Sequence, residues 1–407
     1  MKINKCRACE SKNLVKCLDL GKQYLTGIFP KNKNQKVSLG NLSLVFCNKC
    51  SLLQLSENFN RFEMYGSNYG YMSSLNQSMV NHLKNKAEKI KKLSKFSKSD
   101  LFIDIGSNDG TFLSFFLNEC QTAGIDPTIK KFKKFYKKKT ILIPDFFSSN
   151  VIKKNIITKK AKAITSIAMF YDLENPISFA REIHETLDND GIWHFEQSYM
   201  PSMIKNISYD TICHEHLEYY SLKSLKYILD KSDFKIIEIE LNDINGGSFA
   251  ITVAKKKSKK FKESSLVDWL LKKEELYKFN KIETLIDFKN KVFKHKKLLK
   301  DLVLNLKDMK KKVAGYGAST KGNVILQFCN LNNKSIPYIV DVNPYKRNRV
   351  TPGTKIKIIN DTDFRKKNPD YLLVLPWHFK NHILQKENSF IKKGGHFIFP
   401  LPDIEIV

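Results

Sequence analysis

The stretch Leu101-Phe-Ile-Asp-Ile-Gly-Ser-Asn-Asp-Gly110 joins a short apolar run to a glycine turn, and a helix is predicted at 111–117. Similar apolar runs follow along the chain, with further helices predicted between several of them. The predicted strands are 122–126, 141–143, 163–167, 191–196, 235–241 and 249–255, and the helices are 79–97, 176–187 and 221–231. This alternation predicts an open α/β sheet that binds ligands at the carboxyl ends of its strands.

The glycine turn itself indicates what kind of ligand it accepts. It lacks the Gly-x-Gly-x-x-Gly pattern that receives a pyrophosphate, and it carries Asp104 and Asp109 instead. These acids suit the cationic, phosphate-free S-adenosylmethionine, and Asp126 ends the next strand, where a carboxylate can bind ribose hydroxyls. A tight turn without a ligand is the structural alternative. The predicted cofactor-binding residues are Asp104, Gly106, Ser107, Asn108, Gly110, Asp126, Pro127, Phe147 and Gln77.

Composition narrows the classes of partner. The chain of 407 residues has a formal net charge of +29, which would suit nucleic acid or another anionic ligand. Its lysine runs at 130–139, 255–262 and 310–312 contain no arginine, which argues against a nucleic-acid groove. No apolar run approaches the ~18–20 residues of a membrane span, and the start lacks an apolar signal core. We expect a cytoplasmic protein without a membrane partner, as a monomer or homodimer.

Two cysteine pairs open the chain, as Cys6-Arg-Ala-Cys9 and Cys47-Asn-Lys-Cys50. Two such knuckles can close a tetrahedral site around one zinc ion, and four thiolates leave no open position for catalysis. We therefore predict a structural zinc site. Ordinary reduced cysteines and a redox pair are the alternatives, and Cys17 is a possible substitute ligand.

The segment Cys213-His-Glu-His216 lies about a hundred residues beyond the glycine turn. Histidine and glutamate can exchange protons near neutral pH, which suits general acid–base catalysis. The residues alone leave two other interpretations open, namely a metal site at His214 and His216 or a cluster that satisfies backbone groups.

A second glycine loop, Gly315-Tyr-Gly-Ala-Ser-Thr-Lys-Gly322, has different chemistry. It is not a Walker loop, because glycine follows Lys321. Backbone N–H groups, two hydroxyls and an ammonium at a helix N-terminus suit a diphosphate, although a nucleotide fold used only for packing is an alternative. Strands predicted at 338–341, 371–376 and 396–400 complete a second, smaller α/β unit, and charged helices over 258–312 connect it. The predicted substrate-binding residues are Tyr316, Ser319, Thr320, Lys321, Asn323, Lys346, Asn245, Trp377 and His378.

Together these motifs resemble the sugar-nucleotide C-methyltransferase family, typified by the deoxysugar 3-C-methyltransferase of tetronitrose biosynthesis. The resemblance rests on the cysteine pairs, both glycine loops and several shorter motifs in the same order. The shorter motifs are Cys213-His-Glu-His216, Asn245-Gly-Gly-Ser248, Thr351-Pro-Gly353 and Leu375-Pro-Trp377. It implies a zinc module at 1–72, a Rossmann-like S-adenosylmethionine domain at 73–257, and a helical connector with a second Rossmann-like α/β domain at 258–407 that binds a nucleotide sugar.

The resemblance also implies roles for individual residues. His216 matches the family's general base, Glu215 matches its neighbouring carboxylate, and an active-site tyrosine matches Tyr69 or Tyr71. The candidate catalytic residues are thus His216, Glu215, His214, Tyr71, Tyr69 and Cys213. Cys213 stands where the family usually has tyrosine, which leaves methyl transfer to carbon or to a hydroxyl oxygen open. The resemblance also implies that the methylated sugar enters a surface polysaccharide or a glycoside. The alternative function is that of an RNA methyltransferase with a zinc module.

Overall fold

A computed structural model describes residues 1–65, 70–156 and 159–407. Its centre is a mixed sheet of seven strands. In spatial order the strands are Phe234–Asn242, Ser248–Lys255, Leu187–Ser198, Ala161–Ile167, Leu101–Ile105, Gln121–Ile125 and Thr140–Ile143. Only Ser248–Lys255 is antiparallel to its neighbours. The strand that precedes the first glycine loop therefore lies inside the sheet, and the predicted α/β fold is confirmed.

Helices flank this sheet, as the alternation of the sequence predicts. Those of the central region are Gln77–Ser94, Ile129–Phe132, Ser149–Asn155, Pro176–Thr186, Met200–Lys205 and Leu222–Asp230. The predicted helix 111–117 is instead a short 3-10 helix at Leu113–Phe116. A 3-10 turn places residues i and i+3 on one side, so that Leu113 and Phe116 both pack into the core.

The cysteine-rich start forms an antiparallel sheet that includes a strand from the central region. Its own strands are Leu14–Tyr24, Leu39–Cys47 and Leu53–Leu55, and the short helix Arg61–Met64 follows them. The fourth strand is Glu218–Tyr219, which pairs antiparallel with Leu53–Leu55 and begins two residues after His216. The zinc module is thus joined by backbone hydrogen bonds to the candidate catalytic segment.

The C-terminal region forms the predicted second α/β unit, with six strands that are parallel except for the last. In spatial order they are Lys357–Ile359, Tyr338–Val340, Val313–Tyr316, Tyr371–Val374, His396–Phe399 and Glu405–Ile406. Its helices are Thr320–Phe328, Asp361–Arg365, Lys380–Lys386 and Asn388–Lys392.

Two helices connect the central and C-terminal regions, Leu266–Leu276 and Ile282–Asp308. The buried face of the second packs in one core with the first strand of the zinc module and with the C-terminal sheet. Among the described residues, no helix is both long enough and apolar enough to cross a membrane.

Candidate active site

A cavity of about 630 Å³ opens where the three regions meet. Most of the predicted site residues line it. These are Tyr71, Asp104, Gly106, Ser107, Asn108, Asp126, Pro127, Phe147, Glu215, His216, Asn245, Ser319, Thr320, Lys321, Lys346 and His378. Residues predicted from separate motifs of the sequence therefore share one cavity.

Seven predicted residues are not among those that line the cavity. They are Gln77, Gly110, Cys213, His214, Tyr316, Asn323 and Trp377. Several serve other contacts instead: Tyr316 Oη donates to Glu387 Oε1 at 3.1 Å, and Trp377 Nε1 donates to Asp210 Oδ2 at 2.8 Å. Tyr69 lies outside the described residues.

The first glycine loop forms one end of the cavity. Gly106 has a φ of 73°, and a Cβ there would stand 3.3 Å from the Met169 side chain. The backbone N–H of Asn108 donates to Asp126 Oδ2 at 2.9 Å, which ties the loop to the end of the next strand. Burial raises the pKa of Asp104 to about 7, even though Thr165 Oγ1 donates to this carboxyl group at 2.6 Å.

The residues at this end fit S-adenosylmethionine. Asp104, Asp126 and Asp145 bring three carboxyl groups to the ends of three adjacent strands, which suits a cofactor with positive charges better than a diphosphate. Gly106 lines the cavity, and its positive φ is a conformation that glycine adopts readily. This cofactor would supply an electrophilic methyl group to the cavity.

Sequence reasoning missed several lining residues that follow predicted strands. Asp145 and Phe146 come after Thr140–Ile143, Gln197 is the second-last residue of Leu187–Ser198, and Tyr171 and Asp172 follow Ala161–Ile167 by a few residues. Their position at strand ends was the available signal, since ligands of such sheets bind there.

His216 faces the cavity with one ring nitrogen engaged. Its Nδ1 donates to the Thr211 carbonyl oxygen at 2.8 Å, and its ring packs against Tyr171 with centroids 4.1 Å apart. Burial, together with the Lys321 ammonium, lowers the pKa of His216 to about 3. The ring is therefore neutral at neutral pH, and the donating Nδ1 leaves Nε2 as the proton acceptor.

His214 has a different environment. It is fully buried, its Nδ1 lies 3.4 Å from Thr26 Oγ1, and its Nε2 lies 3.4 Å from the Gly40 carbonyl oxygen. Phe59 packs edge-on against the ring at a centroid distance of 4.8 Å. Both nitrogens thus face groups of the zinc module, which favours a structural role and leaves neither nitrogen for a metal ion shared with His216.

Glu215 reaches the cavity between these two histidines. A Cβ added at Gly27 of the zinc module would stand 2.0 Å from Glu215 Oε1, so the carboxyl group occupies the space that this glycine leaves. Burial raises the pKa of Glu215. Cys213 is fully buried, and burial raises the pKa of its thiol, with Glu215 as the next contribution.

The second glycine loop also lines the cavity, through Ser319, Thr320 and Lys321. Ser319 Oγ accepts from the Gly322 N–H at 2.9 Å and caps the helix Thr320–Phe328. Lys321 Nζ donates to the Asn245 carbonyl oxygen at 2.7 Å, and Lys346 Nζ donates to the Ala318 carbonyl oxygen at 2.6 Å. Two ammonium groups beside a capped helix N-terminus form a place that suits an anion.

The four paired cysteines come together as predicted. Their sulfur atoms lie within 4.8 Å of one another, with Cys6 and Cys50 at 3.5 Å and Cys9 and Cys47 at 3.4 Å. Four sulfurs at ~2.3 Å from one zinc ion stand ~3.8 Å apart, so the cluster fits the metal. Gln54 Nε2 donates to Cys6 Sγ at 3.2 Å, a contact typical of ligand-orienting groups. In the part of the chain that the structure describes, this is the only such group of three or more His, Cys, Asp or Glu side chains.

Comparison with known families agrees with this architecture. Residues 6–65 match a family described as "Putative zinc binding domain", residues 80–239 a "Methyltransferase domain", and residues 243–402 a "C-methyltransferase C-terminal domain". Fold and matches define an S-adenosylmethionine-dependent methyltransferase with an N-terminal zinc-binding module. The C-methyltransferase NovU of Streptomyces niveus is 25% identical over 100% of this chain and 97% of its own. These findings confirm the resemblance to the sugar C-methyltransferase family.

Solved structures resemble parts of the chain more distantly. The plantazolicin methyltransferase BpumL in complex with SAH is 14% identical, over 44% of this chain and 86% of its own, with a TM-score of 0.35. The mitomycin 7-O-methyltransferase MmcR is 12% identical, over 45% of this chain and 55% of its own, with a TM-score of 0.36. Neither likeness is close enough to indicate a substrate.

Proposed function

We propose that this methyltransferase acts on the sugar of a nucleotide-activated sugar, at a carbon or a hydroxyl oxygen, with His216 as the general base. One observation supports this most directly. A single cavity is lined by the first glycine loop, by His216, and by Ser319, Thr320 and Lys321 of the second glycine loop. A donor, a base and an anion-binding group are then close enough to act on one bound molecule.

In this proposal the protein aligns the acceptor and removes one proton from it. His216 Nε2 takes a proton either from a carbon beside a ketone, which leaves an enolate, or from a hydroxyl group, and the nucleophile that forms receives the methyl group. The Nδ1 hydrogen bond to the Thr211 carbonyl keeps the ring oriented during this step. Holding both reactants in line supplies much of the rate.

A bound diphosphate would also change the pKa of His216. Lys321 contributes to the lowered pKa of His216, because its positive charge disfavours an imidazolium. A diphosphate bound at Lys321 would offset this charge and raise the basicity of His216. The base would then be strongest when the substrate is in place.

The test is a turnover screen with labelled S-adenosylmethionine and a panel of dTDP-, UDP-, GDP- and CDP-sugars. NMR of the product separates a carbon-bound from an oxygen-bound methyl group. We expect His216→Asn to lower turnover at least about a hundredfold, the range for loss of a general base, and to keep its affinity for S-adenosylhomocysteine. His382→Asn, at an exposed histidine outside the cavity, is the control. Full turnover in His216→Asn would refute the assignment of the base.

The division of the chain into domains at residues 72 and 257 is also a proposal.

An RNA methyltransferase is the competing function, but beyond the basic composition no observation favours it. It would predict an affinity for RNA that falls steeply with salt.

A further inference from the structure

Four residues that line the cavity carry buried polar atoms without a hydrogen-bond partner among the described residues. The atoms are Asp172 Oδ1, both side-chain polar atoms of Gln197, Glu215 Oε2 and His378 Nδ1. An unpaired buried polar group costs about 1–3 kcal/mol, so such groups are normally satisfied. Their concentration at one cavity indicates a polar ligand.

Gln197 differs from the other three in that neither its Oε1 nor its Nε2 has a hydrogen-bond partner in the described part of the chain. It is only 2% exposed. The residue before it, Glu196, is by contrast fully engaged, with His82 Nε2 at 2.6 Å and Lys86 Nζ at 2.8 Å. No fold-stabilising contact therefore accounts for the Gln197 carboxamide.

The sheet places Gln197 away from the cofactor end of the cavity. The first glycine loop, Asp126 and Asp145 follow three adjacent strands, beginning with Leu101–Ile105. Gln197 is the second-last residue of Leu187–Ser198, which lies two strands to the other side of Leu101–Ile105, about 10 Å away. Asn245, whose carbonyl oxygen accepts from Lys321, lies in the turn between Phe234–Asn242 and the strand Ser248–Lys255 that pairs with Leu187–Ser198. Gln197 is thus on the side of the sheet where Asn245 and Lys321 meet, and where the proposed acceptor would bind.

We propose that Gln197 is a specificity-determining residue that binds oxygen atoms on the sugar ring of the acceptor. The inference rests on the proposed function. A carboxamide offers both donors and acceptors, so its partner is a ring with a free hydroxyl group, or a hydroxyl beside a carbonyl. A site built to pair such groups rejects an analogue that lacks them, because its own polar atoms then stay buried and unpaired.

The experiment separates sugar binding from nucleotide binding. Calorimetry gives the affinities of the protein for S-adenosylhomocysteine, for dTDP, UDP, GDP and CDP, and for dTDP-glucose, dTDP-4-keto-6-deoxyglucose, UDP-glucose, GDP-mannose and CDP-glucose. In the wild type we expect the best nucleotide sugar to bind at least about tenfold tighter than its nucleoside diphosphate. In Gln197→Leu we expect this gain to disappear, with the other affinities unchanged.

Gln23 offers a matched control. It is also 2% exposed and has both side-chain polar atoms unpaired, but it does not line the cavity. Gln23→Leu should keep the full gain from the sugar. Gln197→Met, with an unbranched side chain of similar length, is the second variant if Gln197→Leu does not fold.

The outcomes distinguish the two proposals. An undiminished sugar gain in Gln197→Leu, or a loss of S-adenosylhomocysteine affinity in that variant, would overturn the role of Gln197 and leave the proposed function standing. A wild-type protein that binds S-adenosylhomocysteine but no nucleotide or nucleotide sugar would overturn the proposed function, and the role of Gln197 with it.

Discussion

His214 and His216 are separated by one residue, yet their surroundings assign them to different tasks. His216 is held through Nδ1 by the Thr211 carbonyl and lines the cavity with the rest of its ring. His214 lies under the zinc module, with Thr26 and Gly40 at its two nitrogens. His216 thus borders the cavity, whereas His214 packs between two regions of the chain.

Both histidines predict a pH effect on stability, because burial also lowers the pKa of His216, and the effect is best tested at His214, which does not line the cavity. Burial lowers its pKa from 6.5 to about 4. Above pH 6.5 neither the folded nor the unfolded state binds a proton there, whereas between pH 6.5 and 4 only the unfolded state does. Stability therefore falls as the pH falls through this window, by about 1.4 kcal/mol per pH unit.

The measurement is the free energy of unfolding by urea, for wild type and His214→Gln at pH 7.5 and 5.5. Between these values the wild type should lose roughly 1.4 kcal/mol more than the variant, which has no titrating group at this position. Parallel changes in the two proteins would show that residue 214 is not buried in its neutral form.

The sequence allowed the position of His216 at the cavity to be predicted, but not that of its neighbours on the cavity wall. The motif around His216 and its distance from two glycine loops were visible in the chain. Gln197 and Asp172 carry no motif, and only their place at the ends of folded strands brings them to the cavity. Which buried polar atoms stay unpaired is decided by packing, which a single sequence does not specify.

The loop after the first strand of the zinc module lies against the candidate catalytic segment at Glu215. Gly27 in this loop lines the cavity and leaves the space that Glu215 Oε1 fills. Asn323 Nδ2 of the C-terminal region donates to the neighbouring Thr26 carbonyl at 2.7 Å. The loop is thus fixed on one side while it positions Glu215 on the other.

We therefore expect Gly27→Ala to lower turnover at least about tenfold, because a Cβ 2.0 Å from Glu215 Oε1 must displace that carboxyl group. Affinity for S-adenosylhomocysteine should be unchanged. Gly21→Ala is the matched control: its φ of 79° makes alanine unfavourable by about 1–2 kcal/mol, but no atom lies within 4 Å of the new Cβ. It should lose stability and keep turnover. Equal turnover in both variants would contradict a role for Glu215.

Most elements of the two α/β sheets could be predicted, because apolar runs and glycine turns are local signals. The strand Glu218–Tyr219 could not. It has only two residues, and it pairs with Leu53–Leu55 from a distant part of the chain. The contact between the zinc module and the candidate catalytic segment is therefore a property of the folded chain that no local pattern indicates.

The zinc module is hydrogen-bonded to both other regions of the chain. The Leu55 N–H donates to the Leu217 carbonyl at 2.8 Å, directly after His216. The Val350 N–H of the C-terminal region donates to the Pro30 carbonyl at 3.0 Å, and Arg349 Nη1 donates to the Phe29 carbonyl at 2.8 Å. The module is thus hydrogen-bonded both beside His216 and to the C-terminal region.

Zinc removal should consequently affect more than the module. We expect one zinc ion per chain at the four-cysteine cluster and a loss of that ion in Cys9→Ser or after chelation. The metal holds together the two cysteine pairs that flank the strands of the zinc module. Without it, hydrogen exchange of the Leu55 and Val350 amides should accelerate at least about tenfold. Turnover should fall as well, since Leu217 no longer anchors His216. Added zinc should restore slow exchange and turnover in the chelated wild type.

Cys17 is buried but lies outside the cluster, so Cys17→Ser should keep its zinc and its slow exchange. Slow exchange of the Leu55 and Val350 amides in metal-free protein would show that the zinc module keeps its contacts with the other two regions without the metal.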